Sequence, residues 1–307
     1  MDFKKFLDNS MIASFGCTEP IALAYAAAEA HKLLMGNLEE ITAKCSGNII
    51  KNVFSVAVPG TGGKKGIEIA AVVGAMFGDP ALQLEVLSVV KKEDLPKADQ
   101  FIKEGRCHIQ LVKNVPNLYI DVLLKGKEHS SEVVIAGSHT NIVKKVQDNK
   151  ILLEKKDLVE ENNTGTLKLD DIFAFVNTLS DADLKIYAPK LQQLIEYNKN
   201  ICRAGLTENW GSNIGKMVME SANNFPERAT AWAAAGADAR MGGCELPVVI
   251  NSGSGNQGIA SSIPIIIFAE EQHVAEKELY RALLFASLLG EFMKQGIGKL
   301  SAYCGVV

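Results

Sequence analysis

The sequence predicts an α+β fold: a mainly helical body with an inserted small α+β layer, helix on sheet. Three observations predict it. An Ala- and Leu-rich run near the start, Ile21 to Leu34, is built from the strongest helix formers. Between about Leu82 and Glu154, short alternating apolar stretches are separated by turn residues, the texture of a sheet. From Leu169 onward long helical periods return. The expected organisation is a discontinuous body, residues 1-80 plus 165-307, interrupted by an α+β domain at 81-164.

The first helix opens on Gly16-Cys17-Thr18-Glu19-Pro20. Thr18 is a suitable N-cap, Glu19 complements the positive end of the helix dipole, and Pro20 is tolerated in a first turn. Cys17 then sits at a helix N-terminus, where a thiolate is favoured; a small buried core cysteine is the alternative. Leu38–Cys45 is expected as a strand, followed by the apolar, β-branched stretch Ile49–Val58. A glycine-rich loop, Pro59 to Gly66, feeds a helix over Ile67–Phe77. Such a loop either cradles an anion on backbone N–H groups, with Thr61 as a contact, or is a plain tight connection.

In the inserted layer, Leu82–Val89 reads as a strand and Lys91–Glu104 as an amphipathic helix. Strands are expected at Cys107–Val112, Leu118–Leu124, Glu132–Ala136 and Ile151–Glu154. Gly137-Ser138-His139-Thr140-Asn141 breaks these strands with a polar cluster, in which His139 and Asn141 suit proton transfer or substrate contact. Leu158–Thr166 is the expected link back to the body. Helices follow at Asp170–Thr178, Ala182–Gly205, Gly211–Asn223, Pro226–Ala239 and Glu271–Met293, and the small-residue run Ala231–Ala237 allows close helix packing.

Two loops divide these helices. Asp238 to Pro247 contains Arg240 and Cys244; Asp238 and Arg240 form either a salt-bridged support or a substrate clamp. Asn251 to Gly258, NSGSGNQG, sets Ser252, Ser254, Asn256 and Gln257 among three glycines ahead of a helical run. Backbone N–H groups and these side chains suit a carboxylate at a helix N-terminus.

Composition narrows the class. A net charge of -4 over 307 residues gives no electrostatic footprint for nucleic acid. The longest apolar runs are too short to span a bilayer, and the N-terminus lacks a signal-peptide core, so a cytoplasmic protein is expected. The 6 cysteines form no CxxC pair. They therefore read as reduced thiols or ligands gathered from distant positions. The end of the chain, apolar and small-residue-rich through Cys304, reads as a core element cut short, so C-terminal truncation is expected.

Taken together, GCTEP, PGTGG, GSHTN, DARMGG, NSGSGNQG and LSAYCG resemble one family, the L-cysteine desulfidase group related to the α-chain of iron–sulfur L-serine dehydratases. The resemblance runs the length of the chain. It implies a helical catalytic body and a [4Fe-4S] cluster held by three cysteines with one iron open. Cys17 and Cys304 match ligand positions, Cys244 lies beside a family motif, and the third ligand position, in a CDGAK segment, is expected beyond Val307. Cys45, Cys107 and Cys202 match no such position and are expected to be structural. The implied reaction is elimination of sulfide from L-cysteine to give pyruvate and ammonia, with the open iron as Lewis acid. His139, Lys51 and Glu19 are candidates for the base. Thr18, Thr61, Asn141, Arg240, Ser252, Ser254, Asn256 and Gln257 are candidates for substrate binding. L-serine deamination on the same scaffold, or a cluster-free amino-acid-binding or regulatory protein, are the alternative readings. A homo-oligomer acting on a small amino acid, without nucleic-acid or membrane partners, is expected.

Overall fold

A computed structural model describes residues 2–54, 56–155 and 166–295. In chain order, its elements begin α1 (Phe3–Ser10), β1 (Ala13–Phe15), α2 (Thr18–Leu33), β2 (Glu40–Ser46), α3 (Gly47–Val53) and α4 (Ile67–Phe77). Short 3₁₀ turns at Pro80–Glu85 and Lys92–Asp94 precede α5 (Leu95–Lys103). The strands β3 (Cys107–Val112), β4 (Tyr119–Lys125), β5 (Ser130–Ala136), β6 (Ile142–Gln147) and β7 (Lys150–Glu154) follow. The helices α6 (Leu169–Thr178), α7 (Asp181–Thr207), α8 (Ile214–Ser221) and α9 (Phe225–Met241) lead to β8 (Pro247–Val249), α10 (Gly255–Glu271) and α11 (Glu276–Lys294). The fold is α+β, as expected.

The described residues fall into two compact units, one holding residues 2–14 and 166–295 and the other residues 15–155. This differs from a layer beginning at residue 81. The reason is the place of β2 in the sheet, whose order is β3-β2-β4-β5-β6-β7. Strand β2 runs parallel to β3 and antiparallel to β4, so residues before 80 supply an interior strand. The inward positions Ile41, Ala43, Cys45, Ile120, Val122, Leu124, Val133 and Ile135 are buried, on alternate residues as strand geometry requires. Helix α2 packs on β4 and β5 and against α4, and Ser131 Oγ donates to the Ala30 carbonyl at 2.7 Å. Buried on nearly all sides from Thr18 to Ala28, α2 is a core helix rather than an amphipathic surface one.

Several local expectations are corrected. Cys17, not Thr18, is the N-cap of α2; it has extended backbone and makes no side-chain capping bond. The β-branched stretch after Ser46 begins as helix α3, because Ser46 Oγ accepts from the Ile49 N–H and caps it. Leu82–Val89 is not a strand. Asp79 accepts from the Ala81 N–H at 2.9 Å and starts a 3₁₀ turn, and the buried residues of the stretch, Leu84, Val86 and Leu87, do not alternate. Strand β6 was absent from the sequence reading; its lysines at 144 and 145 break the apolar pattern, yet Lys144 pairs with Glu132 and Lys145 with Glu29.

In the other unit α9 packs on α7, α8 and α10, and α11 packs on α10, α6 and α1. Asn198 on α7 fixes β8. Its Oδ1 accepts from the Val249 N–H at 2.8 Å, and its Nδ2 donates to Ser262 Oγ on α10 at 3.0 Å. That anchoring sets the position of the loop immediately after β8. No described helix is long and apolar enough to cross a membrane.

Candidate functional site

The loop after β8 is a tight hairpin. Asn251 and Ser254 exchange both backbone hydrogen bonds at 3.0 Å. The two residues between them have positive φ, 46° at Ser252 and 80° at Gly253, as in a type I′ turn. Glycine accepts this conformation readily; a serine does so at a cost. Ser252 is buried and its Oγ has no hydrogen-bond partner among the described residues. Its N–H donates to Ser10 Oγ at 3.2 Å, and its carbonyl accepts from Lys294 Nζ at 3.0 Å.

Ser254 ends the turn as the N-cap of α10, its side chain accepting from the Gln257 N–H at 3.3 Å. Gln257 Nε2 donates to Asn251 Oδ1 at 2.9 Å, while its Oε1 is buried without a partner among the described residues. Asn251 Nδ2 donates to Ser10 Oγ and to the Ser287 carbonyl. Asn251 therefore holds the loop to α1 and α11.

Arg240, 3% exposed at the end of α9, reaches the start of α10. Its Nη1 donates to Asn256 Oδ1 at 3.0 Å, and its Nε is buried with no acceptor among the described residues. A Cβ at Gly255 would come within 2.6 Å of Cζ, so the guanidinium lies on the first backbone turn of α10. A cation there opposes the helix dipole, and a buried unsatisfied donor costs about 1–3 kcal/mol, more when charged. Both costs fall when an anion sits between the guanidinium and the helix N-terminus.

Asp238 does not pair with Arg240. Its carboxylate instead accepts from the Ser212 and Gly215 N–H groups at 3.4 and 3.2 Å, supporting the start of α8. Of the two readings of this pair, the salt-bridged support is removed.

In the unit of residues 15–155, Cys17 Sγ and Thr18 Oγ1 donate to Glu19 Oε2 at 3.1 and 3.0 Å. Asn52 Nδ2 donates to Glu19 Oε1 at 3.2 Å. Cys17 is buried at the mouth of α2. Lys51 is exposed on α3. His139 is buried in the turn between β5 and β6. Asn141 is committed to that turn: its Nδ2 donates to the Ala136 carbonyl at 2.9 Å, and its Oδ1 accepts from Lys155 at 2.6 Å. Thr61 Oγ1 donates to the Val58 carbonyl at 2.5 Å, and Val58 N–H donates to the Lys64 carbonyl. The glycine-rich loop thus forms the tight connection, with Thr61 serving the turn.

A [4Fe-4S] cluster needs cysteine sulfurs gathered in one place. Cys17 Sγ is engaged with the Glu19 carboxylate, and Cys304 lies outside the described residues. Cys244 is buried, and burial pushes its thiol up to about 11. Among the described residues no group of three or more His, Cys, Asp or Glu side chains could hold a metal ion. The described residues alone therefore do not make a complete cluster site. Cys45 and Cys107 are pushed up to about 12 by burial, and Cys202 is also raised by burial.

The sequence reading missed Ser10, Asn251, Glu291 and Lys294, all polar and buried. Glu291 and Lys294 sit at the end of a helical period and resemble solvated charges; only their burial marks them.

Comparison with known proteins places the chain in a family. The serine dehydratase alpha chain family model matches residues 81–307. A UPF0597 protein of Finegoldia magna is 41% identical over 99% of this chain and 73% of its own length. Those of Lachnoclostridium phytofermentans and Desulfitobacterium hafniense are 39% and 38% identical over 99% of this chain, covering 74% and 71% of their own lengths. No solved structure matches the chain significantly. The chain belongs to the serine dehydratase alpha-chain family, and that membership supports a lyase-like function.

Proposed function

We propose that the chain is an iron–sulfur-dependent lyase that eliminates sulfide from L-cysteine, releasing pyruvate and ammonia. The observation that carries the substrate assignment is the pair of buried atoms Arg240 Nε and Ser252 Oγ at the N-terminus of α10, neither with a partner among the described residues. Arg240, Ser252 and the first N–H groups of α10 hold the α-carboxylate, and Gln257 positions the loop through its bond to Asn251. Asn256 orients the guanidinium through its 3.0 Å bond, and Ser254 caps the helix. Burial excludes water from the guanidinium and strengthens its hold on the anion. Glu19, Lys51 and His139 are the candidates for the base that takes the Cα proton. Cys17 and Cys304 are proposed as cluster ligands, with Cys244 a further candidate. When bound, the cluster supplies an open iron as Lewis acid for the departing sulfur. A cytoplasmic setting suits this thiol chemistry.

The family match favours a second reading, L-serine dehydration by the same carboxylate-holding residues. Anaerobic protein reconstituted with ferrous iron and sulfide separates the two when pyruvate is measured from each amino acid. Pyruvate with sulfide from L-cysteine supports the first reading, and pyruvate from L-serine alone supports the second. Cluster absorbance without pyruvate from either substrate overturns both.

A further inference from the structure

The carboxylate-holding residues leave one buried charge beside them without a role. Glu291 on α11 is 9% exposed, and its Oε1 is buried without a hydrogen-bond partner among the described residues. A buried carboxylate oxygen left without a partner is costly, so its retention calls for a compensating cation.

The position of Glu291 follows from its helix neighbours. The Ser287 carbonyl accepts from Asn251 Nδ2 at 2.9 Å, and Lys294 Nζ donates to the Ser252 carbonyl at 3.0 Å. A Cβ at Gly290 would come within 2.9 Å of Gln257 Nε2. Residues 287, 291 and 294 recur at i, i+4 and i+7, so Glu291 lies on the face of α11 that meets the 251–257 loop. The 251–257 loop thus meets a cation, Arg240, at the α10 N-terminus and the α11 face that carries a buried carboxylate. A free α-amino acid presents the complementary pair of charges.

We propose that Glu291 receives the α-ammonium group of the substrate, making the site a reader of zwitterions rather than of carboxylates in general. This rests on the carboxylate reading given above. Glu291 is thereby a specificity-determining residue: it admits α-amino acids and disfavours acids of the same shape that lack the ammonium group.

Calorimetric titration of the full chain with L-serine and with 3-hydroxypropanoate, which differ only in the ammonium group, tests the assignment. The wild-type protein is expected to prefer L-serine by about tenfold or more, the scale of one charge-assisted hydrogen bond. Glu291→Gln is expected to weaken L-serine binding and abolish that preference while leaving 3-hydroxypropanoate unchanged. A preference retained in Glu291→Gln, or absent from the wild-type protein, overturns the proposal. Arg240→Met separates the underlying reading: both ligands should weaken together, and wild-type binding of both would overturn the carboxylate site itself. Should Glu291→Gln not fold by circular dichroism, Glu291→Asp takes its place. A reduced preference there supports the assignment, and an undiminished one overturns it.

Discussion

The guanidinium of Arg240 lies against the α-carbon of Gly255, so closely that a Cβ on residue 255 would stand 2.6 Å from Arg240 Cζ. This contact sets a buried cation on the N-terminus of α10. The pair is unfavourable alone and favourable once an anion joins it.

Gly255→Ala therefore separates function from stability. Alanine is the better helix former by about 1 kcal/mol, yet its methyl group must displace the guanidinium. The expected result is a fall in kcat/KM of about tenfold or more, from a misplaced charge-assisted contact, with little change in melting temperature. Steady-state kinetics and a thermal melt check it; wild-type kcat/KM would contradict the proposed role of Arg240.

Asp121 in β4 gives a prediction about pH. Burial raises its carboxyl pKa, against the lowering effect of Lys44, which pairs with it at 3.1 Å. A folded-state pKa above the unfolded value means that stability is fully present below the unfolded pKa and falls as pH rises through the folded one. The cost grows as pH rises through the folded value. Asp121→Asn should therefore melt no lower than about 2 °C below the wild-type protein at pH 7, with the variant's relative standing declining as pH falls toward 4. Lys44 is half-buried and can return to water. A much larger loss at pH 7 would show that the ion pair outweighs the desolvation.

His31 near the end of α2 acts in the acid direction. Burial lowers its pKa below 6.5, so the unfolded chain binds the proton first. Stability is then present above the unfolded pKa and lost as pH falls through the folded one. His31→Gln should flatten the fall in melting temperature below pH 6.5, and an unchanged slope would contradict this.

Much of the architecture was legible because its signals were local. The α4 range follows from its apolar period, β3 from its alternation between turn residues, and the capping role of Ser254 fits the NSGSGNQG pattern. The failures came where a short apolar stretch suits two structures and one polar residue decides between them. Ser46 turns Ile49–Val53 into helix, and Asp79 turns Leu82 onward into a 3₁₀ turn. The place of β2 between β3 and β4 depends on pairing across more than 60 residues, which no local pattern reveals. In the candidate site, Ser252, Ser254, Asn256 and Gln257 announced themselves by type. Glu291 and Lys294 did not, since a charged residue's burial is decided by what packs on it.

The central claim is that Arg240 and the start of α10 hold the substrate carboxylate. Its most direct test is steady-state conversion of L-cysteine to pyruvate by the iron-reconstituted protein and by its Arg240→Met variant, at matched cluster content. Loss of a buried, charge-assisted anion contact predicts a fall in kcat/KM of about a hundredfold, carried largely by KM. Equal kcat/KM for the two proteins would contradict the account.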